Sequence, residues 1–170
     1  MTTSTRTDVP PTGDERASLV TFLDYVRDTA LMKCEGVSAA DAAAAPLPGS
    51  PLMTMGGLIS HLRWVEHWWF DVIFLGGEDR GPWTDEDPDG EMRVGAEIPM
   101  PDLLADYAAD AARHRELVAA RSLDDVAERP IRDGRRVNLR WILFHLIEET
   151  ARHNGHLDIL REMADGTTGD

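Results

Sequence analysis

Apolar residues recur at helical spacing in four long stretches of the chain. Between about Asp14 and Glu35, Leu19, Phe22, Leu23 and Val26 form one stripe, and Ala30 and Lys33 continue the spacing. That period predicts an amphipathic helix, with Gly36 as its C-terminal stop. Ser38, followed three residues on by Asp41, predicts a short capped helix, and Pro46, Pro48 and Gly49 predict a loop after it. The next predicted helix runs from Met55 to Leu75 with Thr54 as its N-cap. It holds the densest aromatic cluster, Trp64, Trp68, Trp69, Phe70 and Phe74, and ends at Gly76-Gly77. From Glu78 to Pro101 the chain turns acidic and rich in Gly and Pro, with Trp83 as its one large anchor. A long loop, either a lid or partly disordered, is predicted there. Leu103, Leu104, Tyr107, Ala111, His114 and Val118 predict a third long helix from Asp102 to about Arg121. Pro130 and Asp133-Gly134 predict a turn, with Ile131 to Val137 as a short hairpin-like piece. The last helix is predicted from about Asn138 to Met163, on Leu139, Ile142, Leu143, Leu146, Ile147, Leu157 and Leu160.

Few segments alternate with period two. Four long helices, with one long connection between the second and third, predict an all-α fold and a four-helix bundle. One domain is expected over residues 13–165, between a Thr- and Pro-rich disordered tail at 1–12 and a solvated tail at 166–170. A length of 170 residues is enough to bury a core without staples. The net charge of -14 opposes binding to nucleic acid phosphates. No apolar run reaches the ~18 residues of a membrane span, and the N-terminal stretch has no apolar core of a secretory signal. The single cysteine, Cys34, forms no intrachain disulfide, which matches a reducing, cytoplasmic compartment. It shares an apolar helical pattern with Leu31 and Val37 and reads as a buried small hydrophobe. One lysine, sixteen arginines and no glutamine suggest a GC-rich bacterial genome.

Chemistry concentrates on the last helix. His145, Glu149, His153 and His156 lie on one face of it, forming a polar ridge among apolar residues. A carboxylate among histidines on a core-facing stripe is costly unless it is paired or metal-bound. Glu149 and His153, four apart, offer a bite suited to Zn²⁺, Ni²⁺ or Fe²⁺, with a third ligand to come from another element. His61, set among Leu58, Ile59, Leu62, Trp64 and Val65, is the best donor for that role. Spacing alone leaves a second reading open: Glu149 and His153 as an exposed i,i+4 pair. His67 and His114 read as structural or surface residues, and the tryptophans as packing.

Two stretches carry a family resemblance. Gly57-Leu-Ile-Ser-His-Leu-Arg-Trp-Val-Glu-His-Trp-Trp-Phe70 and Leu139 to Asp158, with its His153-Asn-Gly-His156, resemble the signature helices of the DinB-like superfamily. They are similar in particular to an actinobacterial branch of mycothiol-dependent transferases and isomerases, over Leu19 to Glu162. The resemblance implies an up-down-down-up bundle with one divalent metal, zinc or nickel, on His61, Glu149 and His153. Many relatives have histidine where Glu149 stands, and the maleylpyruvate isomerase branch has glutamate. His156 stands where many relatives have glutamine. It is left as a fourth ligand, a supporting contact or a substrate contact, with His145 as a further alternative. The implied activity is transfer of a small thiol, mycothiol, to a small electrophile at a mouth bounded by Trp64 or Trp68 and the acidic loop. A non-catalytic metal-binding stress or interaction protein and a metal-dependent hydrolase are the alternatives. Homodimers are common among such bundles.

Overall fold

Side-chain caps set where most of the helices begin. In the computed structural model, which describes residues 6–169, α1 spans Glu15–Cys34, and Asp14 accepts from the Ala17 amide at 2.8 Å. Ser38 Oγ accepts from the Asp41 amide at 3.1 Å to start α2 (Ala39–Ala43). Thr54 Oγ1 accepts from the Gly57 amide at 2.8 Å to start α3 (Met55–Glu66). Each cap satisfies a first-turn amide that has no partner within its helix. An eight-residue α4 (Gly90–Glu97) lacks a side-chain cap. α5 (Met100–Ala119) carries Pro101 in its first turn, where a missing amide costs nothing. Asn138 Oδ1 accepts from the Trp141 amide at 3.0 Å to start α6 (Leu139–Asp165), and Gly166 closes it in the left-handed region at φ +76°.

α1 packs along α6, and α3 packs on α4, α5 and α6. Two apolar clusters fill the interior. One joins Leu19, Leu23 and Val26 of α1 to Phe70, Phe74, Ile142 and Leu146. The other joins Ala30 and Cys34 to Leu58, Leu62, Tyr107 and Leu157. Burying one Leu- or Phe-sized side chain contributes roughly 1.5–3 kcal/mol, so these clusters supply most of the drive to pack. Cys34 is fully buried, and burial pushes its thiol up to about 12, which leaves it inert.

Four expectations change. Phe22 does not belong to the buried stripe: it is 47% exposed at the stripe's edge, while Arg27 turns inward. The predicted single helix from Met55 to Leu75 is α-helical only to Glu66, and His67–Phe74 continues as a π-helix with Leu75 N donating to Phe70 O at 3.0 Å. Apolar period alone does not separate the two registers over so short a run. Such turns are rare and concentrate at functional sites. The expected loop from Glu78 to Pro101 contains α4. Its buried face carries Glu91 and Gly95 against α3, and Met92 packs against the apolar core. The expected turn at Asp133-Gly134 forms, with Gly134 at φ +84° and Ile131 N donating to Arg135 O at 2.8 Å, but the hairpin-like piece has no strands, and one isolated antiparallel bridge between Val126 and Asn138 lies beside it. No strand forms among the described residues.

Of the tail expected to be disordered, residues 1–5 lie outside the described residues. Arg6 lies on α1, 4.7 Å from the centre of the Tyr25 ring, and donates to Thr29 Oγ1 at 3.0 Å. Asp170 likewise lies outside the described residues. No described helix is long and apolar enough to cross a membrane.

Candidate metal centre

The register of α3 and α6 brings three sequence-predicted side chains together. His61 follows the buried run Met55–Ser60 on α3, and Glu149 and His153 sit one turn apart on α6. His61 Nε2 is 3.3 Å from Glu149 Oε1, and His153 Nε2 is 3.1 Å from the same oxygen. The imidazole rings meet edge to face with centroids 4.9 Å apart. One donor atom from each residue lies within 4.8 Å of the other two. All three side chains are partly buried, and each keeps some exposure to solvent.

The outward nitrogens of both imidazoles are also engaged. His61 Nδ1 is 3.0 Å from Glu91 Oε1, and His153 Nδ1 is 3.2 Å from His156 Nδ1. Glu91 is 5% exposed, and its Oε2 is buried without a hydrogen-bond partner among the described residues. Burial pushes His61 down, but hydrogen bonds with Glu149 and Glu91 outweigh it and raise the imidazole to about 9. Hydrogen bonds from His153 and His61 hold the Glu149 carboxyl well below the usual range, against an opposing effect of burial. Burial, then the charges of His153 and Arg152, lower His156.

This donor set suits a divalent cation. Two imidazole nitrogens and a carboxylate oxygen are common zinc and nickel ligands. Metal–ligand bonds of about 2.0–2.2 Å put the donors around one tetrahedral ion about 3.3 Å apart, close to the two spacings to Glu149 Oε1. Glu149 and Glu91 both face His61, with no Arg or Lys paired to either carboxylate among the described residues. Positive charge at that point would satisfy both.

The other sequence-predicted residues make aromatic contacts of their own. His145 packs against Trp69 and Trp141, at 4.7 Å and 5.2 Å between ring centroids. Trp64 and Trp68 each meet Trp83 edge to face at 6.2 Å. Trp68, but not Trp64, borders an 850 Å³ groove with Trp69, Ile73 and residues 129–133. A smaller apolar cavity of 290 Å³ touches the cluster itself, between His153, His156, Leu58, Met92 and the segment Ser50–Met53. His67 and His114 are not at the surface: both are buried in an ionic network around Glu66 and Asp71. Glu91 is not among the residues expected at the site from the sequence. Its one local signal is a proline-free run between Asp89 and Pro99, long enough for a short helix.

A family model described as mycothiol-S-transferase matches residues 18–166. The chain belongs to the mycothiol S-transferase family. The match spans every helix that builds the cluster, so the three donors lie within the family's own extent. A search of curated proteins finds no match to the sequence.

Proposed function

We propose that this chain is a metal-dependent, mycothiol-dependent S-transferase, acting on a small electrophile. The observation that carries this reading is the convergence of His61 Nε2, Glu149 Oε1 and His153 Nε2 on one partly open point, within a member of the mycothiol S-transferase family. The family supports the thiol as co-substrate, and the donor set supports the metal. In this reading α1, α3 with its π-helical continuation, α5 and α6 form an up-down-down-up four-helix bundle. Residues 13–165 are its one domain, and the protein works in the cytoplasm.

His61, Glu149 and His153 would hold the ion, zinc or nickel. When bound, a divalent cation there supplies the Lewis acidity that makes a thiol reactive as its thiolate at neutral pH. His156 acts on His153 rather than on the ion. A hydrogen bond between the two Nδ1 atoms with the proton on His153 leaves His153 Nε2 free as a donor. The apolar hollow beside His153 and His156 seats the body of the electrophile against its walls. The sulfur–carbon bond forms as the bond to the leaving group breaks, the leaving group departs with its electron pair, and the thiol proton passes to solvent. Glu149 sets the charge balance: one carboxylate and two neutral imidazoles leave a dication with net charge near +1.

Assay of the metal-loaded and metal-stripped protein with mycothiol and a chloro-dinitroaryl or bimane electrophile tests this. Conjugation that requires both metal and mycothiol is expected. Consumption of the electrophile without thiol favours a hydrolase, and no turnover with either favours a non-catalytic metal-binding protein.

A further inference from the structure

α4 meets α3 backbone to backbone. A Cβ on Gly56 would lie 2.5 Å from Gly95 O, and a Cβ on Gly95 would lie 2.5 Å from both Gly56 O and Ser60 Cβ. A Cβ on Gly57 would lie 2.9 Å from Met92 O. Only glycine at these crossing points lets the two helices approach so closely. Glu91 and Gly95 are four apart and both buried, so the face of α4 that seats on Gly56 and Ser60 also presents Glu91. One residue beyond Ser60 on α3 is His61. The glycine contact therefore delivers the Glu91 carboxylate to the His61 ring, 3.0 Å from Nδ1.

A carboxylate oxygen only accepts a hydrogen bond, so the proton lies on His61 Nδ1. Such a contact leaves Nε2, on the far edge of the ring, aimed at Glu149 and His153. Glu91 has no second partner: Oε2 is buried and unpaired among the described residues. A buried carboxylate left half-satisfied calls for positive charge nearby, and the ligand cluster on the other edge of His61 is where that charge would sit. We infer that Glu91 is a positioning residue of the metal centre, fixing His61 with Nδ1 protonated and Nε2 directed to the ion, and that α4, seated on Gly56 and Gly95, is a structural part of that centre. Its role toward the ion rests on the metal reading given above.

Two readouts test this, neither of them activity. The first is zinc affinity by competition with a chromophoric chelator, for the full chain, Glu91→Ala and Glu91→Gln. Glu91→Ala is expected to weaken zinc by about 10–100-fold, the range for loss of an outer-sphere partner. Glu91→Gln, whose amide oxygen still accepts from Nδ1, is expected to stay nearer the parent. The second readout is the exchange-protected His61 Nδ1–H resonance in ¹H–¹⁵N spectra, recorded with and without zinc. It is expected in the parent and in Glu91→Gln, and absent in Glu91→Ala. Unchanged zinc affinity in Glu91→Ala, or a protected Nδ1–H that persists there, overturns the inference. If the parent binds no zinc, the metal reading fails by itself, and the resonance still decides whether Glu91 positions His61: lost in Glu91→Ala, it does; retained, it does not.

Discussion

Two clusters of ionisable side chains each draw one residue from α3, Glu66 and His61, and their charges are balanced differently. Around Glu66, Arg27 donates through Nε at 2.7 Å and Nη2 at 2.6 Å, Tyr107 Oη donates at 3.0 Å, and His114 Nδ1 lies at 3.0 Å. Asp71 nearby is held by Arg113 at 2.6 Å and by His67 at 2.9 Å. Each carboxylate there has its own guanidinium, and every carboxylate oxygen has a partner. Around His61, two carboxylates face only imidazoles, and one buried oxygen has no partner. Both clusters combine His with acidic residues, and only α3 contributes to each. The closed one locks the π-helical turn to α1 and α5. The open one has two carboxylates with no guanidinium, as a cation site would.

Breaking the closed cluster is expected to have the largest effect on stability. Arg27→Met strands Glu66 in the core and should cost about 3–5 kcal/mol in denaturant unfolding, with zinc affinity unchanged in the folded fraction. A smaller loss comes with acid. Burial alone would raise Glu66, but the Arg27 charge and the His114 and Arg27 hydrogen bonds lower it from 4.5 to about 2. A depressed carboxylate stabilises the fold above its unfolded value, and that contribution fades as pH falls from about 4.5 through 2. Thermal melts across that window should show a steeper decline in the parent than in Glu66→Gln. The smallest effect is expected at His145, which touches neither cluster. His145→Ala removes one aromatic partner each from Trp69 and Trp141 and should cost about 1 kcal/mol with metal content unchanged.

The open cluster was the more legible of the two in the sequence. A histidine among apolar neighbours on one helix and a Glu–His pair four apart on another are local patterns, and both helices are long and strongly periodic. The closed cluster was not legible. His67 and His114 look unremarkable in sequence, and their burial depends on Arg27 turning inward and on the π-register at His67–Phe74, which period alone does not reveal. Glu91 was hidden for a related reason. It lies in a segment whose composition reads as loop, and the close glycine contact that seats α4 on α3 joins residues far apart in sequence. Helix boundaries were read to within a few residues where a capping side chain marks them, as at Asp14, Ser38, Thr54 and Asn138.

Zinc binding by the parent chain and by Glu149→Ala, measured side by side against a chromophoric chelator, bears most directly on the metal centre. The parent should bind one ion per chain, and Glu149→Ala should bind at least ~10-fold more weakly, since the proposed function makes Glu149 a direct ligand and even outer-sphere losses cost that much. A parent that takes up no stoichiometric metal, or a Glu149→Ala chain that binds it as tightly, would contradict the assignment and leave Glu149 and His153 as an ordinary i,i+4 pair.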